Sequence, residues 1–154
     1  MSSSFIFNSC ILGGTFSIFH IGHKVLILAA LRLAKNVKIG ITSDDFAKKL
    51  KKAHPIERYS LRKEKVSAFC MFYKSPYQTV EIFPLNDKFG PALDDEKLEC
   101  IIVSEETFPV AKIINEKRIA RGFKPLAIFV IDLIKLEYNK ENRISSTYLW
   151  LLGA

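Results

Sequence analysis

Cysteine is scarce in this chain: Cys10, Cys70 and Cys100 are the only three in 154 residues, far apart and each in apolar surroundings. An odd, scattered set suits buried reduced thiols better than a disulfide framework, and it points to a reducing compartment. Long apolar runs are missing too. The longest, "LAIFVIDLI" from Leu126 to Ile134, is interrupted by Asp132 and falls well short of the roughly 20 residues that a membrane-spanning helix needs. The opening "MSSSFIFNSC" has no basic flank ahead of its apolar patch, so no secretory signal is expected and the protein is placed in the cytoplasm. Acidic residues are the minority among the charges, 16 against 23 lysines and arginines, which leaves a formal charge of +7. Such a surface can draw nucleic acid, anionic lipid or a polyanionic small molecule, and charge alone does not choose among them. The lysines of "KKLKK" read equally well as a solvated helix face.

What is present is an alternation of strand-like and helix-like segments, and the length suits one domain, residues 1–154. A strand near Phe5 to Leu12 ends at Gly13 and Gly14, and "GHKVLILAALRL" then reads as a largely buried helix. "VKIGIT", Val37 to Thr42, is a second strand, after which Ser43 or Asp44 caps a short helix. Pro55 ends that helix. "RYSLRKEKVSAFCMFYK" supplies another helix, and "YQTVEIFPL" and "LECIIVS" are strands on either side of the polar loop "NDKFGPALDDEK". "TFPVAKIINEKRIARG" is an amphipathic helix closed by Gly122, "LAIFVIDLI" is a fifth strand, and "ISSTYLWLL" is a short final helix capped by serine. The pattern predicts an α/β fold, a Rossmann-like doubly wound five-stranded parallel sheet with helices on both faces. In such a sheet the ligand crevice lies at the carboxyl ends of the strands, where the polar and glycine-rich segments fall.

Glycines at a strand end let a backbone approach a ligand, and the helix that follows offers unpaired amides to an anion. The segment "GGTFSIFHIGHK" is neither the dinucleotide fingerprint, since it lacks the third glycine, nor a P-loop, since it lacks the Gly-Lys-Ser/Thr ending. It carries His20 and His23 instead, three residues apart, so both rings can face one anion if a helix begins near them. Zinc is a poor alternative, because His54 is the sole remaining histidine and no cysteine pair has ligand spacing. The pair could equally do no more than cap the helix.

"GGTFSIFHIGHKVLI" resembles the signature of the HxGH nucleotidylyltransferases, and "ISST", Ile144 to Thr147, resembles their second motif. Within that superfamily the chain is similar to the phosphopantetheine adenylyltransferases of archaeal and eukaryotic type, through "PLNDKFGPA", "VSEET" and "INEKR" in the same order. The resemblance implies transfer of AMP from ATP to 4'-phosphopantetheine, with Mg2+ carried by the ATP phosphates rather than by a protein cage. It implies that His20 and His23 stabilise the α- and β-phosphates, aided by Lys48 or Lys49. ATP would lie against Gly13, Gly14, Thr15, Phe16 and Gly22, with Glu106, Arg118, Ser145, Ser146 and Thr147. The acceptor would meet Thr15, Thr42, Lys48, Arg62 and Asp87. Two departures stand out: the family commonly has aspartate where this chain has Ser17, and arginine where it has Tyr148. Arg143 could replace the missing guanidinium.

Other readings remain open at this level. A nicotinamide mononucleotide adenylyltransferase or a cytidylyltransferase acting on glycerol phosphate or choline phosphate shares the histidine motif. Ser17 and Tyr148 also leave room for a nucleotide sensor, or a basic nucleic-acid binder, that has lost turnover. The sequence carries no RNA-binding motif and no aromatic-basic interleaving on one strand, so neither nucleic acid nor membrane is expected as a partner.

Overall fold

The computed structural model describes residues 4–50, 55–131, 135–139 and 142–145. β1 (Phe7–Gly14) leads through α1 (Ile21–Leu33) into β2 (Ala34–Thr42), and the short α2 (Asp44–Lys49) and longer α3 (Tyr59–Tyr73) lead into β3 (Thr79–Leu85). A 3-10 turn at Gly90–Leu93 precedes β4 (Cys100–Ser104), and α4 (Phe108–Ala120) connects to β5 (Ala127–Ile131). The five strands pair in parallel in the order β3-β2-β1-β4-β5. The predicted doubly wound sheet is therefore the observed one. The chain starts at the centre, winds outward to β3, and returns to the other side of β1, so the winding reverses between β1 and β4. That reversal is where an open α/β sheet leaves a crevice.

β1 occupies the centre because Ser9, Cys10, Ile11 and Leu12 are all buried, as suits a parallel strand covered on both faces. Alternate residues feed different cores. Cys10 and Leu12 join Ile27, Ala30 and Leu31 of α1 and Val66 and Cys70 of α3, while Ile11 joins Ile101, Val103 and the α4 residues Ala111 and Ile114. Helices thus cover both faces. Each fully buried isoleucine or leucine contributes about 1.5–3 kcal/mol, so these two layers fix where β1 ends. All three cysteines are free and buried. No helix among the described residues is long and apolar enough to cross a membrane.

Residues 135–145 depart from the expectation of a loop leading into a helix. β6 (Lys135–Asn139) and β7 (Asn142–Ser145) pair antiparallel in a small sheet of their own, with Asn139 opposite Asn142. The sequence signal was the period-two alternation of Leu136 and Tyr138 with polar neighbours, bounded by Asn139 and Asn142. Ile144 and Ser145 therefore lie in a strand. The rest of the expected final helix, with Ser146, Thr147 and Tyr148, lies outside the described residues.

Candidate active site

A cavity of about 170 Å3 opens at the carboxyl ends of β1, β2 and β4. Gly13, Gly14, Thr15 and Thr42 form its strand-end edge, Lys88 and Phe89 its loop edge, and Thr107 and Val110 its helical edge. Deeper in, Ile11, Ile101, Ala111 and Ile114 line it, so it is a mainly apolar pocket with polar atoms near the mouth. Lys88 is the one ionisable side chain among the lining residues. Glycine is required around Leu85: a Cβ on Gly40 would stand 2.5 Å from Leu85 Cγ and one on Gly90 2.5 Å from its Cδ2. Gly90 also has φ +55°, which a side chain would strain.

The histidines build the beginning of α1. His20 is the N-cap, and its Nδ1 accepts a hydrogen bond from the Gly22 amide at 3.1 Å. His23 returns the contact, its Nδ1 accepting from the His20 amide at 3.2 Å. This is a capping box made from two imidazoles in place of the usual serine and glutamate. The rings stack with centroids 3.7 Å apart and an interplanar angle of 22°. Because both Nδ1 atoms accept, each neutral ring carries its proton on Nε2. His20 is partly desolvated, which lowers its pKa below the usual 6.5 and favours that neutral form. The capping reading of the pair is thus realised, and it fixes the tautomer that an anion-facing donor needs.

The turn before α1 is held in an uncommon shape. Phe16 and Ile18 have φ of +55° and +49°, a region that costs on the order of 1–3 kcal/mol per non-glycine residue. Phe16 is fully buried, with its ring 5.2 Å from that of His23. It underlies the histidine rather than opening onto the cavity. A Cβ on Gly14 would come within 3.2 Å of the Phe16 ring, so the second glycine of the motif makes room for it. Phe19 stacks on His23 from another side, centroids 6.0 Å apart and nearly parallel at 6°. Ser17 is buried and its Oγ has no hydrogen-bond partner among the described residues.

Two of the expected site residues occupy different positions from those the motif suggested. Arg62 is fully buried behind the strand ends, where Nη1 donates to the carbonyls of Thr15 (2.9 Å) and Thr42 (2.7 Å), Nε to Glu57 O (2.6 Å) and Nη2 to Asp44 Oδ1 (3.1 Å). It ties the ends of β1 and β2 together and does not line the cavity. Arg118 lies in the last turn of α4 and is not among the residues lining the cavity. Its guanidinium donates to the carbonyls of Lys124 (2.9 Å), Ala92 (2.8 Å), Asp95 (2.8 Å) and Leu98 (3.4 Å). Burial lowers its pKa, with Asp95 opposing that shift. The Arg118 guanidinium is thus held by main-chain carbonyls and is not among the cavity-lining residues.

The remaining positions are mixed. Thr42 Oγ1 donates to Gly14 O at 3.1 Å and lies 3.4 Å from Thr15 Oγ1, so the two threonines share one corner of the cavity. Gly22 is buried in the first turn of α1, its amide taken by His20. Lys48 and Lys49 end α2, exposed and outside the cavity lining. Asp87 Oδ1 accepts from the amides of Phe89 (2.9 Å) and Gly90 (2.7 Å), which shapes the loop over the cavity. Glu106 is exposed in the turn before α4. Sequence reasoning missed Lys88 and Thr107 as lining residues, although each lies inside a segment already singled out, "PLNDKFGPA" or "VSEET".

Comparison with known proteins agrees with this geometry. The cytidylyltransferase-like family model matches residues 11–150. The phosphopantetheine adenylyltransferase of Methanopyrus kandleri is 42% identical over 132 residues, covering 83% of this chain and 80% of that one. The protein of the same name from Pyrobaculum aerophilum is 35% identical over 143 residues, covering 93% and 90%. Among solved structures, a protein of unknown function from Archaeoglobus fulgidus superposes with a TM-score of 0.71 at 32% identity, covering 80% of this chain and 89% of that one. A lipopolysaccharide core biosynthesis protein from Thermoplasma volcanium shares the fold, with a TM-score of 0.61 at 18% identity over 80% and 95% of the two chains. A family match over most of the length, joined to these relatives and to histidines at the turn of the winding, establishes that the chain belongs to the cytidylyltransferase-like family.

Proposed function

We propose that the chain transfers AMP from ATP to 4'-phosphopantetheine, giving dephospho-coenzyme A and pyrophosphate. The observation that carries this reading is the reciprocal His20–His23 box at the start of α1, the helix that follows β1, in a chain similar to several enzymes named phosphopantetheine adenylyltransferase. In the proposed reaction an oxygen of the acceptor phosphate attacks the α-phosphorus in line. A new P–O bond forms as the bond to the β,γ-bridged leaving group breaks, and pyrophosphate departs with the electron pair. No protein nucleophile is needed. The enzyme's part is to hold the two anions together and to place donors where charge grows. Neutral imidazoles with the proton on Nε2 suit that task, and Lys48 or Lys49 would add positive charge from α2.

The apolar pocket below Thr15 and Thr42 suits the uncharged arm of the acceptor, with its phosphate at the polar mouth. Ser145, Ser146 and Thr147 would serve the distal phosphates. Among the described residues no group of three or more His, Cys, Asp or Glu could hold a metal ion. Magnesium would enter as an ion carried in on ATP, bound by phosphate oxygens and water, where it would neutralise phosphate charge. Buried free thiols fit a cytoplasmic setting.

The test is pyrophosphate release with magnesium and ATP, offering 4'-phosphopantetheine or nicotinamide mononucleotide, and with CTP and glycerol 3-phosphate. Release with phosphopantetheine alone, with dephospho-coenzyme A seen by mass, is the expected result. Release with another acceptor only would assign a sister activity. In the same assay His23→Ala should lose on the order of 10²-fold or more in kcat while its circular dichroism stays native.

A further inference from the structure

The turn that seats the histidines needs a cause, because its own residues disfavour it. Ile18 is β-branched and has φ +49°, where such residues are outliers. The residue is 58% exposed, so packing does not hold it there. What holds it is its amide, which donates to Glu57 Oε1 at 2.9 Å across 39 residues of sequence. At the other end of the turn the Thr15 carbonyl is gripped by Arg62. Arg62 is braced in turn by the Glu57 carbonyl at 2.6 Å. One residue just ahead of α3 therefore closes the turn at both ends, directly through its carboxylate and indirectly through Arg62. Between those two anchors Phe16 is pressed into its left-handed conformation, with its ring against His23.

We propose that Glu57 is a positioning residue for the HxGH pair: by holding the Ile18 amide it keeps Phe16 under His23, and so keeps both imidazoles in their stacked, Nδ1-accepting arrangement. Glu57 is not offered as a catalytic group. Its other carboxylate oxygen is occupied by Lys65 at 2.7 Å, which holds the side chain in this direction. The required property is an acceptor at the reach of a glutamate. Glutamine has that acceptor without the charge, whereas aspartate has the charge but stops one carbon short.

The kinetic part of the test rests on the adenylyltransferase reading, so a second readout is independent of it. Glu57→Ala, Glu57→Asp and Glu57→Gln are compared by steady-state pyrophosphate release and by the nitrogen-15 signals of the two imidazoles. Alanine and aspartate should lower kcat about 10- to 100-fold, the penalty of a misplaced catalytic group, with KM for ATP within about threefold of wild type. Glutamine should restore most of kcat. In the alanine variant the imidazole signals should move from the fixed Nε2–H pattern toward averaged tautomers. Wild-type kcat in Glu57→Ala, impairment of Glu57→Gln equal to that of alanine, or unchanged imidazole signals would overturn the proposal. Should Glu57→Ala not fold, Glu57→Asp carries the same comparison. Should the wild type release no pyrophosphate, the functional reading fails while the imidazole signals still decide whether Glu57 sets the histidines.

Discussion

The Nδ1 atoms of His20 and His23 each accept a backbone amide, and an imidazolium nitrogen cannot accept anything. Protonating either ring fully must therefore break one half of the cap. For His20 the folded pKa lies below 6.5, so the folded state binds the proton more weakly than the unfolded state does. Its contribution to stability is complete above about pH 6.5 and declines as pH falls from there through the lowered value. Melting temperature followed from about pH 8 to 5 should hold on the alkaline side and drop on the acid side. His20→Asn, which caps without titrating, should flatten the acid limb. An equally steep limb in that variant would remove His20 as its source. At this scale the sequence was legible in part. The spacing of the two histidines announced a shared helix start, but nothing in it distinguished a cap from an anion site, because the same Nδ1 contacts serve both.

Elements were easier to read than their anchors. Strands β1 to β5 and helices α1 to α4 followed from apolar periodicity, with boundary shifts of a few residues such as β1 running on through Gly13 and Gly14. For Arg118 a motif gives order along the chain, whereas a helix runs some 1.5 Å per residue away from its own beginning. Ten residues after Phe108, a side chain is at the far end of α4 and meets the segment from Ala92 to Leu98. That segment is further held by Lys38 to Asp95 at 2.6 Å and by Arg121 to Leu93 O at 2.9 Å. Arg118→Met should be strongly destabilising, because it orphans several carbonyls, each at about 1–3 kcal/mol when left buried and unpaired. Denaturant unfolding would show this as a lower midpoint. An unfolding free energy within about 0.5 kcal/mol of wild type would mean that water replaces the guanidinium without loss.

The whole molecule carries +7, yet Lys88 is the only ionisable side chain among the lining residues of the pocket. Most of the positive charge therefore lies outside that lining, where it acts at a distance and salt can screen it. Raising ionic strength from about 0.05 to 0.5 M, which shortens the Debye length several-fold, should lower kcat/KM for ATP while kcat changes little. A kcat/KM insensitive to salt would show that the net charge plays no part in capture. The winding of the sheet, and with it the location of the crevice, was legible because five buried strands separated by helices leave few topologies. The pairing of β6 with β7 was not, since two short segments with weak alternation say little without their tertiary setting.

β1 is in register with β2 at seven positions from Phe7 to Gly14, but with β4 only at Cys10 and Ile11. The fold is thus two half-sheets stitched briefly at their roots and parted above, like a book opened at its spine. Gly13, Gly14 and Thr15 stand on the open margin, and Val103 and Thr107 face them across it. A molecule lodged there is a third leaf joining the halves. Substrate would complete the sheet's missing seam, so that catalysis and the fold's own cohesion draw on the same gap.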